Sequence, residues 1–453
     1  MLRRSALRIF GSAPAFVRAL SGSAAGRPNL LWILAEDLGP QLASYSYPLV
    51  RTPNLDRLAA GGVRFANCHT TGPVCSASRS AFNVGLYQTS TGTHNHRSHR
   101  KDGYHLPDGA RLLSHRLQDA GYFTANVLQF APGVRGMGKT DFNFALDAPP
   151  FQGTHWNQRA TGQPFFAQVN FQATHKGPAM QEARRQPDLI DPAKVELPPY
   201  WPDHPVVRDE FTTYLNCVNL LDRQVGVLLD TLKKDGVLDN TLIFFMGDNG
   251  RCLIRGKQWC YDAGTHVPMI ASGPGVPKPG SVRQDCVLSL DITASLLSAA
   301  GVPIPELFHG QPLFDTRSKP RPYVATARDR CDETRDRIRA VRDARYSYIR
   351  NFMPERPYTQ PNAYISKEYP TLGVMKELYA QGRLNAAQSL FMADRKPEIE
   401  FYDVKKDPNE IHNLASDPTH QKLVRQYSAH LDQWIRDTKD RGGETESAEA
   451  KAL

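Results

Sequence analysis

Two short, almost continuously apolar runs constrain this chain most. The segment NLLWILA, Asn29–Ala35, ends in Glu36-Asp37, and TLIFFM, Thr241–Met246, leads through Gly247 into Asp248-Asn249. An apolar run without alternation reads as a strand buried on both faces, as in a parallel sheet. Ligands of open α/β sheets gather beyond the carboxyl ends of the strands. If both strands are central, three carboxylates and one amide meet on one rim. Like charges placed so closely repel unless a cation lies between them. All-oxygen donors suit a hard ion, calcium or magnesium. For either pair taken alone, the competing reading is a cap on the following turn or helix.

The remaining patterns alternate between strand and helix. Pro53–Ala60 predicts a helix with Thr52 as N-cap and Pro53 at its first position. Ala110–Ala120 predicts an amphipathic helix closed by Gly121, and Phe165–Phe171 a strand followed by Thr174-His175-Lys176. Pro187–Pro205 reads as a proline-rich surface loop, and Phe211–Lys234 as a long helix with Leu215, Val218, Leu221, Val225 and Leu228 at helical spacing. This alternation predicts an α/β domain around a largely parallel sheet. Near residue 320 the texture changes, with short strand candidates at Tyr323–Thr326 and Tyr346–Arg350. The expected organisation is a leader at 1–28, a catalytic domain at 29–319, an α+β subdomain at 320–435 and a disordered tail at 436–453.

Charge limits the partners. The 453-residue chain carries +9, but the leader holds five arginines (3, 4, 8, 18 and 27) and no acid, which leaves 9 − 5 = +4 for the rest. That bias is too mild to argue for nucleic acid, and it suits an acidic, sulfated or phosphorylated substrate. No apolar run reaches the length of a bilayer span. The leader reads as an export signal carrying Arg3-Arg4, with an organelle transit peptide as the alternative.

One cysteine stands in unusual company. The stretch GPVCSASRSAFNVG places Cys75 among small polar residues, with Arg79 four positions on. The seven cysteines are an odd, scattered set without a C-x-x-C pair, so neither a zinc site nor a disulfide framework explains Cys75. After the Gly-Pro turn, Cys75–Val84 predicts a helix. Cys75 then lies at its N-terminus, where the dipole favours an anion, and Arg79 follows one turn later on the same face.

Taken together, these pieces resemble the sulfatase family. Its signature is Cys or Ser, any residue, Pro or Ala, any residue, then Arg, matched here by Cys75-Ser76-Ala77-Ser78-Arg79. RPNLLWILAEDLGP is similar to the family's first metal strand, NTLIFFMGDNG to its second, GKQWCYDAGTHVPMI to the lysine segment after it, and EFYDVKKDPNEIHNLASDP to a C-terminal motif. The resemblance implies an alkaline-phosphatase-like α/β/α sandwich with a smaller C-terminal subdomain carrying a short antiparallel sheet. It implies that Cys75 is oxidised to formylglycine by a separate formylglycine-generating enzyme. It also implies that Glu36, Asp37, Asp248 and Asn249 hold one calcium ion, that Arg79 supports the nucleophile, that His175 contacts sulfate or protonates the leaving group, and that Lys257 binds sulfate. The pattern is most similar to heparan N-sulfatases and their bacterial relatives. The expected partners are therefore a sulfated sugar or glycosaminoglycan, with N-sulfoglucosamine foremost, and a second copy of the chain in a homodimer.

Three departures from the family pattern stand out. Glu36 replaces an aspartate, and Ala77 stands where proline is commoner. The family's Gly-Lys-x-His segment is missing, with Gln129 and Ala131 in its place. Lys139, in GMGKTDFNF, is expected to supply the absent lysine from a loop, the alternative being a solvated lysine. The cluster GTHNHRSHR suggests a basic lip of His94, His96 and Arg97 for substrate, or a solvated loop, and His266 is a further candidate for the pocket wall. Rival functions are a phosphodiesterase or phosphonate hydrolase of the same superfamily and a non-catalytic protein that binds sulfated glycan.

Overall fold

A computed structural model of the protein describes residues 26–97 and 102–443. The leader up to residue 25 and the tail from 444 lie outside the described residues. In chain order the strands are β1 (Asn29–Ala35), β2 (Gly62–His69), β3 (Phe123–Val127), β4 (Gln129–Ala131), β5 (Val134–Arg135), β6 (Phe165–Phe171), β7 (Thr241–Gly247), β8 (His266–Ser272), β9 (Ser281–Leu288), β10 (Val324–Arg328), β11 (Ile338–Arg342), β12 (Tyr346–Asn351) and β13 (Ile399–Asp403). Seven of them form the central sheet in the order β3-β6-β1-β7-β8-β2-β9.

The two acid-terminated runs are neighbours. β1 pairs in parallel with β7 on one side and β6 on the other, with Ala35 level with both Gly247 and Phe171. The residues just past these strand ends therefore share one rim. β8 is the one antiparallel strand, opposed to both β7 and β2. No crossover returns the chain to the far end of the sheet after β7. Residues 248–265 stay on the rim instead, and they carry Lys257.

Alternating side chains of β1 feed two cores, as they must in a strand covered on both faces. Leu31, Ile33 and Ala35 pack in one core with Leu215, Val218, Leu221 and Leu228 of the helix Pro205–Lys234. Leu30, Trp32 and Leu34 face the other, with Phe82, Leu290, Leu297 and Trp434. Each fully buried leucine contributes about 1.5–3 kcal/mol, so the long helix is held by its apolar stripe. It starts at Pro205, six residues before the expected Phe211, because His204 Nδ1 accepts from the Val206 N–H and Pro205 fills the first position. The helix expected at 110–120 shortens to Leu113–Asp119, since Leu112 remains extended.

β10–β13 form a separate four-stranded antiparallel sheet. A helix at Gln421–Asp437 follows. Beyond it Asp440 pairs with the buried Arg339, and the Arg441 N–H donates to the Thr89 carbonyl. Residues 436–443 are thus part of the folded chain, which corrects the expected tail over that stretch.

Candidate active site

The rim gathers the acids as the parallel register requires. The Asp37 N–H donates to Asp248 Oδ1 at 2.9 Å, and the Asp248 N–H donates to the Ala35 carbonyl at 3.0 Å. Asp37 adopts a left-handed backbone with φ 55°, tolerable for aspartate and common where a site fixes its geometry. Glu36 is anchored through its main chain, its N–H donating to Phe171 and its carbonyl accepting from Thr174.

The helix Cys75–Phe82 points its first residue into this cluster. Cys75 Sγ lies 3.7 Å from Asp37 Oδ1, and ligand atoms of Asp37, Cys75 and Asp248 fall within 4.8 Å of one another. One turn on, Arg79 is entirely buried. Its Nε donates to Asp248 Oδ2 at 2.8 Å, one terminal nitrogen to Asn170 Oδ1 at 2.7 Å, and the other stands 3.7 Å from Glu36 Oε1. The alternative of an exposed helix arginine is thereby excluded.

Two lysines complete the charge balance. Lys257 Nζ lies 2.9 Å from Asp37 Oδ1. Lys139 Nζ lies 3.3 Å from Glu36 Oε1 and 3.4 Å from Asp141 Oδ2. Gln129, in the ribbon formed by β4 and β5, is exposed and bonds back to Ala131. Lys139 therefore reaches the rim from the loop, whereas the ribbon does not.

Burial alone would raise the Asp37 carboxyl, but Lys257 and the hydrogen bond from Asn249 outweigh it and hold it well below the usual range. Burial raises Asp248, with Asp37 and Glu36 opposing the relief from Arg79. Burial likewise works against Asp141, yet Lys139 brings it down to about 2. The Cys75 thiol is pushed up to about 12 by burial despite Lys257 and Lys139, so it is not a thiolate at neutral pH. Burial and Lys257 lower His175, which is neutral. Its Nδ1 donates to the Lys176 carbonyl at 2.8 Å, which leaves Nε2 as a lone-pair acceptor 3.7 Å from Asp37 and 3.9 Å from Glu36.

The donor set fits a hard cation. Glu36 Oε1 and Asn249 Oδ1 are buried without a hydrogen-bond partner, although Asn249 Nδ2 is spent on Asp37 Oδ1 at 2.8 Å. Buried oxygens without a hydrogen bond, in a cluster with two further carboxylates, are costly unless an ion meets them.

The histidine-rich loop behaves differently from the expected lip. His94 and His96 are buried. His96 Nδ1 shares a hydrogen bond with Ser76 Oγ at 2.9 Å, and its Nε2 faces Asp332 at 3.7 Å, so it braces the loop. Arg97 alone of the three is half-exposed, its N–H donating to Ser76 Oγ at 2.8 Å. His266 is also no pocket residue. Nδ1 pairs with Asp262 at 3.1 Å and Nε2 with the Ala66 carbonyl at 2.9 Å, so both nitrogens are engaged within the fold. The sequence reading missed Asn170, Asp141, Asp332 and Tyr364. Only Asn170 left a trace, as a polar residue in the apolar strand FFAQVNF.

The sulfatase family model matches residues 28–302. The chain is 33% identical to an ulvan-active sulfatase of Formosa agariphila, over 90% of this chain and 75% of that protein. It is 27% identical to the human N-sulphoglucosamine sulphohydrolase, over 92% of each. A solved structure in complex with its substrate D-glucosamine-2-N,6-O-disulfate superposes with a TM-score of 0.62 at 18% identity, covering 91% of this chain and 98% of that one. With its mixed central sheet and small C-terminal antiparallel sheet, the chain belongs to the sulfatase family, hydrolases of sulfate esters on an alkaline-phosphatase-like fold.

Proposed function

We propose that the protein releases sulfate from sulfated saccharides through residue 75, with N-sulfoglucosamine as substrate. The carrying observation is the placement of Cys75, buried at a helix N-terminus and 3.7 Å from Asp37, amid three cations. A thiol with a pKa near 12 is a poor nucleophile, so the position makes chemical sense as the precursor of formylglycine. Hydrated by one water, that aldehyde would supply a hydroxyl as the nucleophile, and the second hydroxyl would give a route for releasing sulfate afterwards. Glu36, Asp37, Asp248 and Asn249 would hold calcium, which supplies positive charge at the sulfuryl oxygens.

The chain's own residues do the rest. Arg79 keeps Asp248 ionised and aligned. Lys257 and Lys139 face the space beside Cys75 and hold negative charge that develops on the sulfuryl group. His175, with Nδ1–H fixed on the Lys176 carbonyl, presents Nε2. It must first take up a proton, which an incoming anion favours, and can then deliver it to the departing oxygen or nitrogen. These residues do not distinguish N- from O-sulfate. The 33% identity to an ulvan-active sulfatase favours ulvan as the substrate of a second reading.

The test is sulfate release from N-sulfoglucosamine, a 6-O-sulfated glucosamine and ulvan oligosaccharides, using protein matured by a formylglycine-generating enzyme. Release from the N-sulfated sugar supports the first reading, and release from ulvan alone supports the second. Turnover of a matched phosphate ester in preference to sulfate would point to the phosphodiesterase alternative. Binding without release would leave the glycan-binding one.

A further inference from the structure

Asp332 is a junction of three segments at the mouth of this site. It has a left-handed backbone with φ 50°. Its Oδ1 faces His96 Nε2 at 3.7 Å, and its Oδ2 accepts from Gln258 at 3.5 Å and from Asn362 at 3.3 Å. His96 leads directly to Arg97, Gln258 follows Lys257, and Asn362 caps the helix Ala363–Glu368 through the Ile365 N–H at 2.9 Å. One carboxylate thus lies between the Arg97 loop, the Lys257 segment and the helix bearing Tyr364.

Tyr364 leans over the site. Its ring centre lies 5.7 Å from Lys257 Nζ and 6.5 Å from the His175 ring. Its hydroxyl is buried and has no hydrogen-bond partner. Burial pushes the phenol up against the pull of Lys257, so it stays a proton-bearing donor. A buried hydroxyl left unmet is costly, and a bound ligand would recover that cost. Arg97 is half-exposed on the loop beside Cys75, its N–H donating to Ser76 Oγ at 2.8 Å, and its guanidinium makes no hydrogen bond among the described residues. A guanidinium on the loop beside Cys75 and a phenol donor beside Lys257 suit a carboxylate or sulfate oxygen between them.

We propose that Tyr364 and Arg97 form a substrate-anchoring pair that receives a second anionic group of the saccharide, a uronate carboxylate or an additional sulfate, next to the scissile one. This rests on the sulfatase reading of the site, but its test does not need turnover. Calorimetric titrations use Cys75→Ala protein with calcium and three probes: N-sulfoglucosamine, an N-sulfated glucosamine–uronate disaccharide and N,6-O-disulfated glucosamine. A carboxyl-reduced form of the disaccharide serves as a control that needs no substitution at the rim.

One or both doubly anionic probes are expected to bind about tenfold or more tightly than N-sulfoglucosamine. The probe that gains, together with loss of the gain on carboxyl reduction, identifies carboxylate or sulfate as the group bound. The gain should vanish in Tyr364→Phe and in Arg97→Ala, and the double variant should lose no more than either single one. Melting curves check that the variants are folded. Equal affinity for all probes in the unsubstituted pocket overturns the proposal. So does a gain that survives both substitutions, or an equal loss on N-sulfoglucosamine. If matured Cys75 protein releases no sulfate while the affinity pattern holds, the catalytic reading fails and the anchoring pair stands.

Discussion

Arg79 Nε donates to Asp248 Oδ2 at 2.8 Å, and neither side chain reaches solvent. The same guanidinium serves Asn170 and stands beside Glu36. Breaking such a pair leaves a buried charge uncompensated, at a cost of about 3–5 kcal/mol. Arg79→Ala is therefore expected to lose that much in urea unfolding and to abolish sulfate release. A loss below about 1 kcal/mol would show that the acids are compensated by something other than Arg79.

Calcium should stabilise the folded protein, because Asn249 Oδ1 is buried without a hydrogen bond and Glu36 Oε1 meets only the ion-pair contacts of Lys139 and Arg79. At a hundredfold excess over Kd the gain is about 2.7 kcal/mol. Thermal melts with calcium and with chelator should differ clearly for the unsubstituted protein and coincide for Asp248→Ala. Identical melts of the unsubstituted protein in both conditions would count against the ion.

The acids and the Cys75-Arg79 spacing were legible because each sits at the end of an element that the sequence marks. Apolar runs locate β1 and β7, and parallel pairing then forces Glu36-Asp37 beside Asp248-Asn249. Asp141, Asp332 and Tyr364 carry no such mark. They lie in loops or a short helix, and only the folded chain brings them to the rim. The histidine cluster misled for the opposite reason. Its composition suggests a solvated grip, yet His96 is consumed by Ser76 and Asp332 inside the fold.

Lys139→Ala should lower kcat/KM on the released-sulfate assay by about a hundredfold, the usual loss when a preorganised charge at the reacting group is removed. Gln129→Ala, on the exposed ribbon, should stay within about twofold. Unchanged turnover in Lys139→Ala would remove that lysine from the sulfuryl site.

Glu410 offers a pH test remote from the chemistry. It is buried, and its Oε2 accepts from the Asp262 N–H at 2.7 Å. Burial raises its carboxyl from 4.5 to about 7, with Arg342 and Arg255 opposing and Asp262 reinforcing. Between those values the folded state keeps a proton that the unfolded state has lost, so Glu410 makes stability fall as pH rises through the window. Glu410→Gln should be more stable than the unsubstituted protein at pH 8, by up to about 3 kcal/mol, and equal to it near pH 4.5. Greater stability of the variant only at low pH would reverse the assignment.

The central claim is sulfate release through residue 75. The most direct measurement is time-resolved sulfate release from N-sulfoglucosamine and ulvan oligosaccharides by protein co-produced with a formylglycine-generating enzyme. Peptide mass spectrometry would establish the aldehyde at position 75, and Cys75→Ala would run alongside. The account predicts release by the matured protein from at least one of these sugars and none by Cys75→Ala. Release that persists in Cys75→Ala, or no release from either sugar by protein carrying the aldehyde and calcium, would contradict it.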